Sequence, residues 1–152
     1  MKILIATDGS EYSAAAIETA CEIIFKTENC EIEIISAYEV ITYTGMESFG
    51  VSVEYVAEVQ KIAQNQATKY VNDSQTLIRG RFPDLSVQIN TKILNGSPGR
   101  VIVEEAKDWG ADIVIVGSHG YGFWERAFLG SVSQAVVNHA PCSVLIVRKK
   151  GK

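Results

Sequence analysis

The chain has 152 residues, 47% of them hydrophobic and 21% charged, which suits one domain with a substantial core and excludes a disordered chain. A formal charge of −4 argues against a general nucleic-acid or membrane-surface binder, because such proteins carry a basic field. The three cysteines, Cys21, Cys30 and Cys142, are odd in number and lack CxxC or histidine-interleaved spacing, so they read as reduced structural thiols of a cytoplasmic protein.

Met1-Lys2 leads directly into an apolar strand, without the h-region and cleavage site of a signal peptide, and no stretch reaches eighteen apolar residues. The expectation is a soluble, cytoplasmic protein. The first strand spans Lys2 to Thr7. Asp8-Gly9-Ser10 turns it into a helix from Glu11 to Lys26, with Ile17, Cys21 and Ile24 on one face. A second strand, Glu31 to Tyr38, is partly alternating in polarity. Glu39 to Ser52, with Gly45 and Gly50, forms a long loop.

A long helix follows from Val53 to Arg79, with Val56, Val59, Ala63, Ala67, Tyr70, Ser74 and Leu77 near helical spacing. Arg81-Phe82-Pro83-Asp84 breaks it before a third strand, Ser86 to Leu94. Ser97 reads as the N-cap of the next helix, with Pro98 at its first position, where the missing N–H costs nothing. That helix presents Ile102, Ala106 and Trp109 and ends at Gly110. Asp112 to Val116 is the fourth strand, Val132 to Asn138 the fourth helix, and Cys142 to Val147 the fifth strand. The basic residues Arg148, Lys149, Lys150 and Lys152 read as a solvated tail.

Five strands alternating with helices imply right-handed crossovers and a parallel sheet covered on both faces. Ligands of such sheets sit beyond the carboxyl ends of the strands, where strand order reverses. Two turns would meet there if the first and fourth strands are neighbours. One is Thr7-Asp8-Gly9; the other is Gly117-Ser118-His119-Gly120, followed after nine residues by Gly130-Ser131. A glycine loop between a strand and a helix suits a phosphate cradle, since backbone N–H groups and the positive helix end face the anion.

Other chemistries on this architecture fail against the residues. No lysine precedes Ser131, which excludes an ATPase P-loop. The first turn offers Gly9 alone, which disfavours a dinucleotide fingerprint. Asp8 stands without a second acid, and the third strand runs into Asn95, so phosphoacceptor chemistry is a poor fit.

The residues resemble the nucleotide-binding subgroup of the universal stress protein family, whose pattern is Gly-x2-Gly-x9-Gly-Ser/Thr. Gly117, Gly120, Gly130 and Ser131 occupy its fixed positions. The resemblance extends to residues 3–10, 96–102, 111–117 and 140–147, in family order. It implies an α/β fold with an open five-stranded parallel sheet in the order 3-2-1-4-5, Rossmann-like and of the adenine nucleotide alpha hydrolase type. It also implies ATP (or AMP or ADP) with Mg²⁺ held mainly by the phosphates, and a homodimer through the fifth strand. On matched positions, Gly120, Gly130, Ser131, Val132 and Ser133 would surround the phosphates, Asp8 and Gly117 the ribose, and backbone near Ala37 the adenine edge. Thr7, Val116 and His119 complete the expected site.

Individual residues keep a second reading. Asp8 either meets a ribose or caps the first helix with Ser10. His119 either touches phosphate or is an exposed loop residue, and His139 reads as structural. Arg126 and Arg100 either reach phosphate or are solvated. Phe123, Trp124 and Phe128 read as loop packing. Candidate groups for hydrolysis, Glu125 and His119, have no partner visible in sequence, so the expectation is a regulatory nucleotide binder with at most slow hydrolysis. The alternatives are an ATPase switch using Mg²⁺ and Arg126, and a dimeric adaptor that holds AMP, cyclic AMP or nothing.

Overall fold

The computed structural model describes residues 1–25, 29–39, 52–83, 87–120 and 129–149. Strands Lys2–Ala6 (β1), Glu31–Tyr38 (β2), Gln88–Asn95 (β3), Ile113–Gly117 (β4) and Ser143–Val147 (β5) form one sheet. Helices Glu11–Phe25 (α1), Val53–Arg81 (α2), Pro98–Trp109 (α3) and Ser131–His139 (α4) join them. All pairings are parallel and the order is β3-β2-β1-β4-β5, the Rossmann-like arrangement that the resemblance implies.

Successive side chains of a strand point to opposite faces, and both faces of this sheet are covered. Ile3, Ile5, Ile32, Ile34 and Ile115 form one core with Ile17, Cys21 and Ile24 of α1 and Val71 and Ile78 of α2. Leu4, Ile35, Val114 and Val116 form the other with Ile102 and Ala106 of α3 and Val136 of α4. The central strands are therefore apolar at nearly every position, as burial on both sides requires.

One acid breaks that pattern. Glu33 lies on the α3 side of β2, only 7% exposed, and its Oε1 is buried without a hydrogen bond. Glu105 of α3 is equally buried and takes an ion pair from Lys92 of β3 at 2.5 Å. Burial, the charge of Glu105 and a hydrogen bond with it push the Glu33 carboxyl up to about 7, against a smaller opposing pull from Lys92 and Lys2.

The chain runs outward through β1, β2 and β3, then returns to place β4 on the other side of β1. The order thus reverses between β1 and β4, and the crevice beyond their carboxyl ends is where this fold receives ligands.

Several sequence expectations need adjustment. Element ends move by one or two residues: β1 stops at Ala6, α2 runs to Arg81, β3 covers Gln88–Asn95, β4 includes Gly117, α4 spans Ser131–His139 and β5 starts at Ser143. The buried stripe of α2 is Ala67, Val71, Ser74 and Ile78, so Ala67 and Ser74 were placed correctly. Val59 and Leu77 are 41% and 39% exposed; the apolar residues of this helix occupy more than one face, and packing selects one. Ser97 occupies the N-cap of α3 without a side-chain hydrogen bond. Gly110 ends α3 in the left-handed region at φ 72°, and Ala111 N–H closes on the Ala106 carbonyl at 2.9 Å. His139 is exposed in the last turn of α4. The proposed loop from Glu39 to Ser52, apart from its two end residues, and residues Phe123, Trp124, Glu125, Arg126 and Phe128 lie outside the described residues.

Candidate functional site

At the end of β1 the backbone turns sharply through Thr7, Asp8, Gly9 and Ser10. Gly9 has φ 75°, a conformation that a side chain would strain. Ser10 is the cap of α1: its Oγ accepts from Ser13 N–H at 3.2 Å. Asp8 does not cap the helix. Its Oδ1 accepts from Ser10 N–H at 3.0 Å, closing a local turn, and its Oδ2 faces Gly120, where an added Cβ would fall 2.6 Å from it. Thr7 is held by its N–H on the Ile35 carbonyl, 2.9 Å, and by its hydroxyl donating to Ser13 Oγ, 3.2 Å.

The end of β4 is built with equal closeness. A Cβ on Gly117 would fall 2.7 Å from the carbonyl carbon of Tyr12, so this glycine lets α1 approach the sheet. Glycine here serves the fold as well as lining the cavity. Gly130 packs on the His119 and Ser118 backbone, with an added Cβ 3.3 Å from His119 Cα, and its N–H donates to the Ser118 carbonyl at 2.9 Å. Gly130 caps α4 in extended conformation. The N–H groups of Ser131, Val132 and Ser133 therefore open the helix without intrahelical acceptors, and the first helical bond comes from Gln134 N–H to the Gly130 carbonyl.

His119 is buried, 9% exposed, rather than a solvated loop residue. Its ring lies 5.3 Å from that of Tyr12 at 53°, and its Nδ1 is 3.0 Å from Ser118 Oγ. The Ser133 hydroxyl, expected to face phosphate, donates instead to the Gly117 carbonyl at 2.7 Å.

These two turns, with β2 and α3, enclose a cavity of about 280 Å³. All the residues expected from sequence line it: Thr7, Asp8, Ala37, Val116, Gly117, His119, Gly120, Gly130, Ser131, Val132 and Ser133. Sequence reasoning missed Ala6, Ser13, Ile35, Pro98 and Ile102. Ile35 could have been found by its place two residues before Ala37, on the same face of the strand, and Ile102 by its place one helical turn after Pro98. Arg100 is exposed, pairs with Glu104 through Nη1 at 2.8 Å and is not among the residues lining the cavity.

The cavity is chemically graded. Ile35, Ala37, Pro98, Ile102 and Val116 make one part apolar, suited to a planar ring. Asp8 supplies a carboxylate acceptor, and the start of α4 supplies N–H donors with the positive end of the helix. Among the described lining residues there is no lysine or arginine. Among the described residues no cluster of three or more histidine, cysteine or acidic side chains is placed to hold a metal, and no helix is long and apolar enough to cross a membrane.

The model of the universal stress protein family matches residues 1–148. The universal stress protein MJ0531 of Methanocaldococcus jannaschii is 34% identical over 151 residues, covering 99% of this chain and 84% of that protein. Among solved structures, the hypothetical protein MJ0577 is 28% identical with a TM-score of 0.76, covering 99% of this chain and 97% of its own. A universal stress protein family protein from Arabidopsis thaliana, solved with AMP bound, is 21% identical with a TM-score of 0.65, covering 99% of this chain and 93% of its own. With its fold, its strand order and a match over nearly its whole length, this chain belongs to the universal stress protein family.

Proposed function

We propose that the cavity binds an adenine nucleotide, ATP in the first place, and that the protein acts as a homodimeric cytoplasmic regulator of a stress response. The observation that carries this reading is the convergence of Asp8, the apolar wall and the open helix start of α4 on one cavity. Adenine lies against Ile35, Ala37, Ile102 and Val116, where the β2 backbone near Ala37, beyond the end of β1, reads its hydrogen-bonding groups. The ribose hydroxyls donate to Asp8. The phosphates meet Gly120, Gly130 and the N–H groups of Ser131, Val132 and Ser133. The AMP held by the Arabidopsis thaliana protein supports an adenine nucleotide in this fold.

Mg²⁺ accompanies ATP mainly through the phosphate oxygens, since Asp8 is the one carboxylate among the described lining residues. Turnover is slow or absent. The Ser133 hydroxyl proton is committed to Gly117, His119 Nδ1 is engaged with Ser118, and the helix end favours binding without supplying a base. Three free cysteines suit a reducing compartment.

The dimer uses β5. The sheet has two edges, and they differ: β3 reads QINTKILN, with Lys92 as a charged guard, whereas β5 reads SVLIV. An apolar edge strand left unpaired is an aggregation hazard, and pairing two copies across a two-fold axis satisfies it.

Acid denaturation of freshly purified protein, followed by chromatography of the released small molecules, tests the ligand; sedimentation velocity tests the dimer. Expected are an adenine nucleotide, or its uptake from a mixture of ATP, AMP and cyclic AMP, and a dimer at micromolar concentration. Failure to retain or take up any adenine nucleotide contradicts the ligand, and a monomer at high micromolar concentration contradicts the β5 interface.

A further inference from the structure

Tyr70 does not line the cavity, yet its ring lies against Gly9, the neighbour of the lining residue Asp8. It lies near the middle of α2, half buried, with its ring against Gly9. A Cβ placed on Gly9 would fall 2.2 Å from Cε1 and 2.3 Å from Cδ1 of that ring. The glycine therefore does two things at once: it adopts φ 75° and it leaves room for an aromatic face.

The ring is itself held. Gln66 Nε2, one turn earlier in α2, donates to Tyr70 Oη at 2.6 Å, and Ser74 Oγ donates to the Tyr70 carbonyl at 2.7 Å. Ala67 and Val71 on either side are buried against the sheet. The same helix braces the other end of the nucleoside region, where Gln64 Nε2 donates to Tyr38 Oη at 2.8 Å, next to Ala37.

We propose that Tyr70 is a positioning residue for sugar recognition: its ring pins the Thr7 to Ser10 turn at Gly9 and so fixes the direction in which Asp8 presents its carboxylate to ribose hydroxyls. The inference rests on the adenine-nucleotide reading above. Its physical basis is preorganisation. A turn with a glycine at its centre has many accessible conformations, and ordering it on binding would subtract from affinity. An aromatic face against that glycine removes the freedom before the ligand arrives. Asp8 is the residue just before Gly9, with Oδ1 tied to Ser10 N–H and Oδ2 toward Gly120, so any swing of Gly9 moves the acceptor. The apolar wall and the start of α4 are carried by other elements and would be left in place.

The test compares ATP with 2′,3′-dideoxy-ATP by calorimetric titration of the full chain, in wild type, Tyr70→Phe, Tyr70→Leu and Asp8→Ala, with folding checked by circular dichroism. Wild type should prefer ATP. Tyr70→Leu should raise the ATP dissociation constant about tenfold, the scale of one hydrogen bond to a charged group, with the dideoxy constant changed by less than about twofold, well inside that scale. Tyr70→Phe should keep the preference, and adding Tyr70→Leu to Asp8→Ala should cost nothing further in discrimination. Tyr70→Met, which also removes the ring while keeping apolar volume, replaces the leucine variant if that one does not fold. Equal weakening of both nucleotides, unchanged binding of both, or loss of preference in Tyr70→Phe would overturn the role of the ring. Wild-type protein that binds ATP without preferring it overturns the Asp8 assignment and this proposal with it; wild-type protein that binds neither overturns the nucleotide reading itself.

Discussion

Ser133 and Gly117 are sixteen residues apart in sequence and joined by a 2.7 Å hydrogen bond, in which the buried hydroxyl of the first turn of α4 donates to the carbonyl at the end of β4. The bond fixes the helix start against the strand end on which the phosphate side of the cavity depends. Ser133→Ala removes the donor from a site only 3% exposed and should lower unfolding stability by about 1–3 kcal/mol. Urea denaturation checks the figure. Nucleotide affinity should fall as well, because the amides of α4 lose their anchor.

The motif glycines should separate by what each one faces. At Gly117 an added Cβ meets the rigid backbone of Tyr12 and Ser13, at 2.7 to 3.0 Å, so Gly117→Ala should push α1 off the sheet and cost several kcal/mol, about the range of overpacking. At Gly120 the obstacle is the end of the Asp8 side chain, 2.6 Å away, which can rotate aside. Gly120→Ala should therefore leave thermal unfolding nearly unchanged while weakening the preference for a ribose over a dideoxyribose. Melting curves and calorimetric titration of the two variants read the difference.

Stability should depend on pH through Glu33. Its carboxyl is pushed up to about 7, first by burial and then by the charge and hydrogen bond of Glu105, with Lys92 and Lys2 pulling the other way. An acid whose folded pKa exceeds its unfolded value contributes stability at low pH, fully present below the unfolded pKa of about 4.3 and lost as pH rises through the folded one. Wild-type protein should accordingly lose stability as pH rises from about 4 to about 7, with little further change above that. Glu33→Gln, which stays neutral, should flatten that slope, as thermal unfolding across the same interval would show. An unchanged slope in the variant would remove Glu33 as its cause.

Much of this was readable along the chain. Ile3-Leu4-Ile5 and Ile113 to Val116 are runs that only burial on both faces explains, and the two glycine turns fall at their carboxyl ends. Once these strands are neighbours, the cavity follows. What could not be read depends on contacts between distant segments. The burial of His119 comes from the α1 start and Tyr12, more than a hundred positions earlier. The buried face of α2 was ambiguous because Val59 and Leu77 continue an apolar stripe that the sheet does not meet. Glu33 looked like one polar position of a partly alternating strand, and nothing local revealed that α3 would cover it with a second acid. Ser133 looked like a phosphate ligand because its hydroxyl partner, the Gly117 carbonyl, is a backbone atom that carries no sequence signal.

The most direct measurement is calorimetric titration of nucleotide-stripped protein with ATP and Mg²⁺, wild type beside Gly130→Val. Gly130 lies where a Cβ would already press on His119 Cα and the Ser118 carbonyl, at 3.3 and 3.4 Å, and the branches of valine would reach into the phosphate region. The account predicts saturable binding by wild type and its loss in a variant that still folds. Folded wild-type protein that takes up no ATP, or a valine variant that binds it equally well, would contradict the assignment of this cavity to a nucleotide.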